Sequence, residues 1–220
     1  MPRVPPTLVI FDCDGVLVDT EAISNRVMAD AIGEVGLAMS VEEVTEAFEG
    51  MRLDDIAAAV EKRLGERLPE GWVIAFEERR AAEFRKGVEA VPGIADALAL
   101  IDAAGLRRCV ASQASQQKME LTLGLSGLIE HFEKGSLFSS RMVERGKPYP
   151  DLFLLAARSM GFQPAGCVVV EDGVLGARAG QLAGMEVLGF VPDGRSERLA
   201  REGARTFESM AELPRLLGLS

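Results

Sequence analysis

Two aspartates one residue apart, Asp12 and Asp14, close the apolar run Leu8-Val9-Ile10-Phe11, and Gly15 follows at once. An apolar run of this length bounded by a turn reads as a buried strand. Like charges at the lip of an apolar core are costly unless a metal, a lysine or a shared proton neutralises them. Three further polar groups stand in comparable places. Ser112-Gln113 follows Cys109-Val110-Ala111, Glu171-Asp172-Gly173 follows Cys167-Val168-Val169-Val170, and Lys147 lies in Gly-Lys-Pro-Tyr-Pro-Asp, just ahead of a helix. If the strands are parallel, all of these share one edge of a sheet. Four carboxylates, a lysine, a hydroxyl and free backbone amides suit a hard cation such as Mg²⁺, which takes carboxylates, keeps several waters and accepts a phosphate into its shell. Each piece alone has a plainer reading as a turn, a helix cap or a solvated lysine.

The elements that must position these residues fall into two kinds. From Glu21 to about Lys86 the chain reads as four helices with no strand between them. Ala22, Val27, Ala31 and Val35 predict one apolar face ending at Gly36, and Ser40 with Glu43 predicts a capping box opening the second helix. A third helix is expected over 53–64 and a fourth over 69–86, after which Gly87 and Val91-Pro92-Gly93 close the block. From Ile94 onward helix and strand alternate, with strands predicted at 107–112, 137–139, 167–170 and 186–191. The helices are predicted at 94–104, 115–123, 151–160, 174–183, 196–202 and 209–216, the second of them stopped by Gly124. Such alternation implies an α/β fold, a doubly wound parallel sheet with a Rossmann-like core. The expected domains are a core of 1–19 with 88–220, and a small all-helical insert of 20–87.

Composition narrows the function. With 48% hydrophobic and 26% charged residues, the 220-residue chain is expected to be an ordinary soluble protein, and no apolar run approaches the ~18 residues of a membrane span. The opening Met-Pro-Arg-Val-Pro-Pro has no signal-like apolar region, so a cytoplasmic location is expected. A net charge of −10 argues against a nucleic-acid or anionic-membrane partner. Cys13, Cys109 and Cys167 show no paired spacing and are expected to be buried thiols. The single histidine, His131, rules out histidine triads and multi-histidine zinc sites, and is expected at the surface or at a cap. A monomer or weak homodimer is expected.

Taken together, Asp-Cys-Asp-Gly-Val-Leu-Val-Asp, Val-Ala-Ser, Gly-Lys-Pro-x-Pro-Asp and Val-Val-Glu-Asp-Gly-x-x-Gly resemble, in order, the four motifs of the haloacid dehalogenase superfamily. With a helical insert after the first motif, the chain is most similar to the phosphatase and β-phosphoglucomutase branch. The resemblance implies that Asp12 attacks phosphorus and becomes an aspartyl-phosphate, while Asp14 protonates the departing oxygen and then deprotonates water. It implies Mg²⁺ held by Asp12, Asp172 and the Asp14 backbone carbonyl, with Glu171 a direct or outer ligand, and phosphoryl oxygens bound by Ser112, Gln113 and Lys147. Gly173 stands where the branch often has serine, and Gln113 where it often has asparagine.

The implied substrate is a small phosphorylated metabolite, a sugar or polyol phosphate, enclosed by the insert acting as a cap. The cap segment that enters the site resembles Phe48-Glu49-Gly50-Met51-Arg52, in which Glu49, Gly50 and Arg52 are the expected specificity residues. Hydrolysis is expected over mutase chemistry, because Ser24 and Glu49 stand where β-phosphoglucomutases carry a histidine and a lysine. A dehalogenase needs no acid at Asp14, since halide leaves unprotonated. A non-enzymatic phospho-receiver module shares the acidic pocket, but has no reason to carry such an insert.

Overall fold

The computed structural model describes residues 6–219; the extreme N-terminal segment read above for a leader lies outside the described residues. Six parallel strands form the main sheet: β1 Leu8–Phe11, β4 Arg107–Ser112, β5 Leu137–Ser139, β6 Cys167–Glu171, β7 Glu186–Phe190 and β8 Arg205–Phe207, in the order β5-β4-β1-β6-β7-β8. The remaining strands, β2 Val18–Asp19 and β3 Glu89–Ala90, form a two-residue antiparallel ribbon. Four helices lie between β2 and β3: α1 Glu21–Glu34, α2 Val41–Phe48, α3 Leu53–Leu64 and α4 Trp72–Phe84. The other helices flank the sheet: α5 Ile94–Ala103, α6 Gln116–Leu125, α7 Asp151–Met160, α8 Val174–Leu182, α9 Glu197–Arg201 and α10 Leu213–Leu216.

β1 is central and apolar on both faces, as a strand covered on both sides must be. Val9 and Phe11 join one core layer with Ile94, Leu98, Met119 and Leu213; Leu8 and Ile10 join the other with Leu152, Phe153 and Ala177. The chain leaves β1 toward β4 and β5 on one side and returns to β6, β7 and β8 on the other, so the strand order reverses at β1. A crevice opens at the carboxyl ends of strands at such a switch point.

The helical block has its own core of Val27, Ile32, Val44, Phe48, Val60 and Phe76. The α1 face differs from the expected one: Val27, Met28, Ala31 and Ile32 are buried, whereas Ala22 is exposed and Val35 caps the helix. Two adjacent columns of side chains pack here because α1 meets both α2 and α4. The capping box at α2 is formed, with Ser40 Oγ accepting from Glu43 N at 3.2 Å and Glu43 Oε2 accepting from Ser40 N at 2.7 Å. α6 runs through Gly124 and ends before Gly127, whose φ of 75° supplies the left-handed turn that Gly124 does not. β2, β3 and β8 were not expected from the sequence. All three cysteines are buried free thiols. His131 binds Asp102 through Nδ1 at 2.7 Å, and Arg108 joins the same carboxylate. Among the described residues no helix is long and apolar enough to cross a membrane.

Candidate active site

Asp12 sits one residue beyond β1, its N–H donating to Val170 O at 2.9 Å, so the ladder to β6 fixes its place at the sheet edge. Lys147 Nζ reaches Asp12 Oδ1 and Glu171 Oε1, each at 2.5 Å, and lies 5.0 Å from the centroid of the Phe153 ring. The other Glu171 oxygen accepts from Asp172 N at 3.0 Å and Gly173 N at 2.9 Å. Glu171 is therefore engaged on both oxygens and orients Lys147 toward Asp12. That arrangement needs space: a Cβ on Gly176, in α8, would stand 1.7 Å from Glu171 Oε1. Gly176→Ala is expected to drive Glu171 away and lower kcat/KM about a hundredfold, the scale of a misplacement near 1 Å. Gly33→Ala in α1, where a Cβ meets nothing within 4 Å, is the control and should be neutral or mildly stabilising. Steady-state assays on both variants, with melting curves, check this.

Asp14 is prepared differently. Lys118 Nζ, from the first turn of α6, lies 2.8 Å from both of its oxygens, and Thr20 Oγ1 donates to one of them. Burial opposes ionisation of Asp14, but Lys118 and Thr20 outweigh it and hold the carboxyl below its usual range. Asp12 goes the other way: burial, then Glu171 and Asp14, push it up to about 7 despite Lys147. Asp172 is raised as well, by burial and by Glu171 and Asp12. Burial alone would depress Lys147, but Asp12 and Glu171 more than offset it and keep the ammonium charged.

Fully ionised, the four carboxylates would exceed the two ammonium groups by two negative charges, a surplus that burial makes costly, that raises Asp12 and Asp172, and that one divalent cation would balance. Among the described residues no three Asp, Glu, His or Cys side chains converge into a ready-made metal cage. A cation that relies on one or two carboxylates, a backbone carbonyl, waters and substrate phosphate fits this donor set. Gly15, with φ of 74°, brings its backbone so close to Asp172 that a Cβ would stand 1.8 Å from Asp172 Oδ2, which places that carboxylate directly beside the Asp14-Gly15 turn.

The remaining predicted residues gather around the same chamber of about 390 Å³. Ser112, at the end of β4, is buried and its Oγ accepts from Ala114 N at 3.2 Å; the cap of α6 is Ser115, not Ser112. Gln113 ties three strands of chain together. Its Nε2 donates to Gly50 O and Lys147 O, each at 3.1 Å, and its Oε1 accepts from Lys147 N at 3.3 Å. Glu49 pairs with Arg198 of α9 at 3.2 Å, so its charge is met from the core. Arg52 Nη1 donates to Glu144 O at 3.2 Å. Glu49 and Arg52, both from the helical block, line the chamber while bridging to the sheet-bearing half.

Sequence reasoning missed Thr20, Lys118, Arg80 and Arg141, all of which line the chamber. A signal existed for two of them. Lys118 falls in the first turn of a helix that starts at the functional sheet edge, and Arg80 interrupts the i, i+4, i+8 stripe of Phe76 and Phe84.

Comparisons with known proteins give the chain a family. The model of a haloacid dehalogenase-like hydrolase family matches residues 6–184. The chain is 34% identical over 209 residues to a 6-phosphogluconate phosphatase of Escherichia coli strain K12, covering 94% of this chain and 93% of that one. A haloacid dehalogenase family hydrolase from Deinococcus radiodurans R1, solved with bound phosphate and sodium, superposes with a TM-score of 0.76 at 34% identity, over 99% of this chain and 98% of that one. CbbY from Rhodobacter sphaeroides in complex with phosphate gives a TM-score of 0.82 at 30% identity, covering 97% and 99%. With its parallel sheet, its acidic edge and these relatives, the chain belongs to the haloacid dehalogenase-like hydrolase family.

Proposed function

We propose that the protein is a Mg²⁺-dependent phosphatase that hydrolyses a small phosphorylated sugar or polyol through an aspartyl-phosphate on Asp12. The observation that carries this reading is the pair of carboxylates two residues apart, Asp12 gripped by Lys147 and Asp14 by Lys118. The phosphatase names of its relatives support it.

Asp12, Asp172 and the Asp14 carbonyl would hold Mg²⁺, with Glu171 behind them. When bound, the cation supplies positive charge that keeps Asp12 ionised and helps offset carboxylate–phosphate repulsion, about 4 kcal/mol per unit-charge pair 4 Å apart at an effective dielectric near 20. Lys147, paired with Asp12 Oδ1, contributes to the same end. An Asp12 oxygen attacks phosphorus as the ester P–O bond breaks, and Asp14 gives its proton to the departing alkoxide. The incoming phosphate dianion favours that proton on Asp14. Once the alcohol has gone, Asp14 takes a proton from water, whose oxygen attacks phosphorus and frees Asp12 and inorganic phosphate. The Ser112 hydroxyl and the amides that follow it bind the transferring oxygens. Segment 20–87 acts as the cap, and the chamber is of a size to enclose one small metabolite.

Water is the second acceptor. Ser24 and Glu49 offer neither the imidazole nor the ammonium that mutase chemistry in this branch uses, and Glu49 is committed to Arg198. Incubation with β-glucose 1-phosphate and a trace of the 1,6-bisphosphate, followed by phosphorus NMR, should show free phosphate at most. Accumulation of glucose 6-phosphate without matching phosphate would replace this reading with the mutase. A panel of phosphorylated metabolites, assayed for phosphate release with and without Mg²⁺, tests the reaction class itself.

A further inference from the structure

The wall of the chamber built by α4 carries a charge that none of these steps uses. Arg80 lies between Phe76 and Phe84 on the buried face of that helix, its guanidinium carbon 4.9 Å and 6.0 Å from the two ring centroids. Its side chain is 12% exposed, yet its ion contact is a loose 3.9 Å approach to Glu77, and among the described residues none of its N–H donors makes a hydrogen bond. Arg141 approaches the same Glu77 carboxylate at 3.2 Å, and Lys118 stands on Asp14. Ser24 Oγ, also in the chamber wall, is buried without a partner.

Among the described residues the Arg80 nitrogens are not fully buried unpaired atoms, so these idle donors open to the chamber and can take an incoming acceptor. Position indicates what arrives. Lys118 Nζ, which grips Asp14, lies 5.5 Å from the centroid of the same Phe84 ring that Arg80 covers at 6.0 Å, whereas Asp12 is served by Lys147. Arg80 therefore faces the half of the chamber that receives the alcohol portion of the ester. Arg80, Arg141 and Lys118 gather there with Asp14, Glu77 and Glu21, and of the three cations Arg80 is the one whose side chain makes no hydrogen bond. A planar guanidinium fork matches a carboxylate in two hydrogen bonds.

We propose that Arg80, with Arg141 and Lys118 beside it, forms a subsite for a carboxylate on the alcohol half of the substrate, so that phosphate esters of sugar acids are preferred over esters of neutral polyols. The proposal rests on the phosphatase reading above. A site built around charged donors rejects an analogue that leaves them unpaired far more strongly than an apolar pocket rejects an extra group.

The test compares 6-phosphogluconate with glucitol 6-phosphate, which differ at one end in carboxylate against hydroxymethyl, alongside p-nitrophenyl phosphate. Wild-type kcat/KM is expected to favour the acid by about tenfold or more, mainly through KM. Arg80→Met keeps a long side chain over the two rings and removes the donors; its loss on the acid should exceed its loss on the polyol by about tenfold, with Arg80→Lys between. Free gluconate should inhibit p-nitrophenyl phosphate hydrolysis by the wild type more strongly than free glucitol does, a measurement that needs no variant. Equal wild-type kcat/KM on the two esters, or equal losses in Arg80→Met, overturns the subsite while p-nitrophenyl phosphate turnover leaves the phosphatase reading standing. Absence of phosphate release from all three esters overturns the phosphatase reading instead.

Discussion

Asp12→Asn should yield a folded protein whose Mg²⁺-dependent phosphatase turnover is lower by on the order of 10⁴-fold or more, the scale on which removal of a covalent nucleophile acts. The substitution keeps shape but loses the attacking charge and a cation ligand together. Folding should survive, because Lys147 keeps its second partner, Glu171, at 2.5 Å and the Asp12 backbone bond to Val170 is untouched. Circular dichroism and a melting curve establish the fold, and single-turnover phosphate release reads the chemistry. Retention of a tenth of wild-type turnover would sink the aspartyl-phosphate mechanism.

Asp14→Asn should cost about 10² to 10⁴-fold on sugar or polyol phosphates and clearly less on p-nitrophenyl phosphate. A phenolate leaves without help, whereas an alkoxide needs the proton. Asparagine is the more informative replacement because it keeps the shape and one acceptor for Lys118, which is 10% exposed and has both Asp14 oxygens as partners, whereas alanine would leave it neither; a melting curve measures what the lost charge costs. A stranded ammonium in such a place destabilises by several kcal/mol and would confuse lost chemistry with lost structure. Equal fold-losses on the two ester classes would remove Asp14 from the role of general acid.

What was legible in the sequence was whatever local periodicity or punctuation records. The apolar run of β1, the capping box at Ser40 and the span of α3 depend on neighbours within a few residues, and the structure has them where the pattern places them. The acidic edge was legible because each of its groups terminates an apolar strand or opens a helix. β2 and β3 were not, since two residues carry no alternation, and β8 is a three-residue edge strand set between two helices. The partners of the site residues were hidden for another reason. Glu49 meets Arg198 across 149 positions and Lys118 meets Asp14 across 104, and nothing local marks either pairing. Arg80 was overlooked because a search for apolar stripes counts phenylalanines and passes over the charge between them.

The two-residue ribbon of β2 and β3 makes the cap a door on a paired hinge. Val18 and Asp19 run beside Ala90 and Glu89, and Val91 N is bonded to Leu17 O at 2.9 Å, so the chain enters and leaves the helical block through one joined strip. Two tethered strands would resist independent twisting, so a motion of the block as a whole would turn about this strip. Thr20, whose hydroxyl steadies Asp14, is the first residue past that strip, and Lys118, the other group on Asp14, belongs to the stationary half. Such a turn would draw Thr20 away from a carboxylate that Lys118 retains. Under the proposed mechanism, admission of solvent and loss of the acid's alignment would be one mechanical event, and an open enzyme an unarmed one.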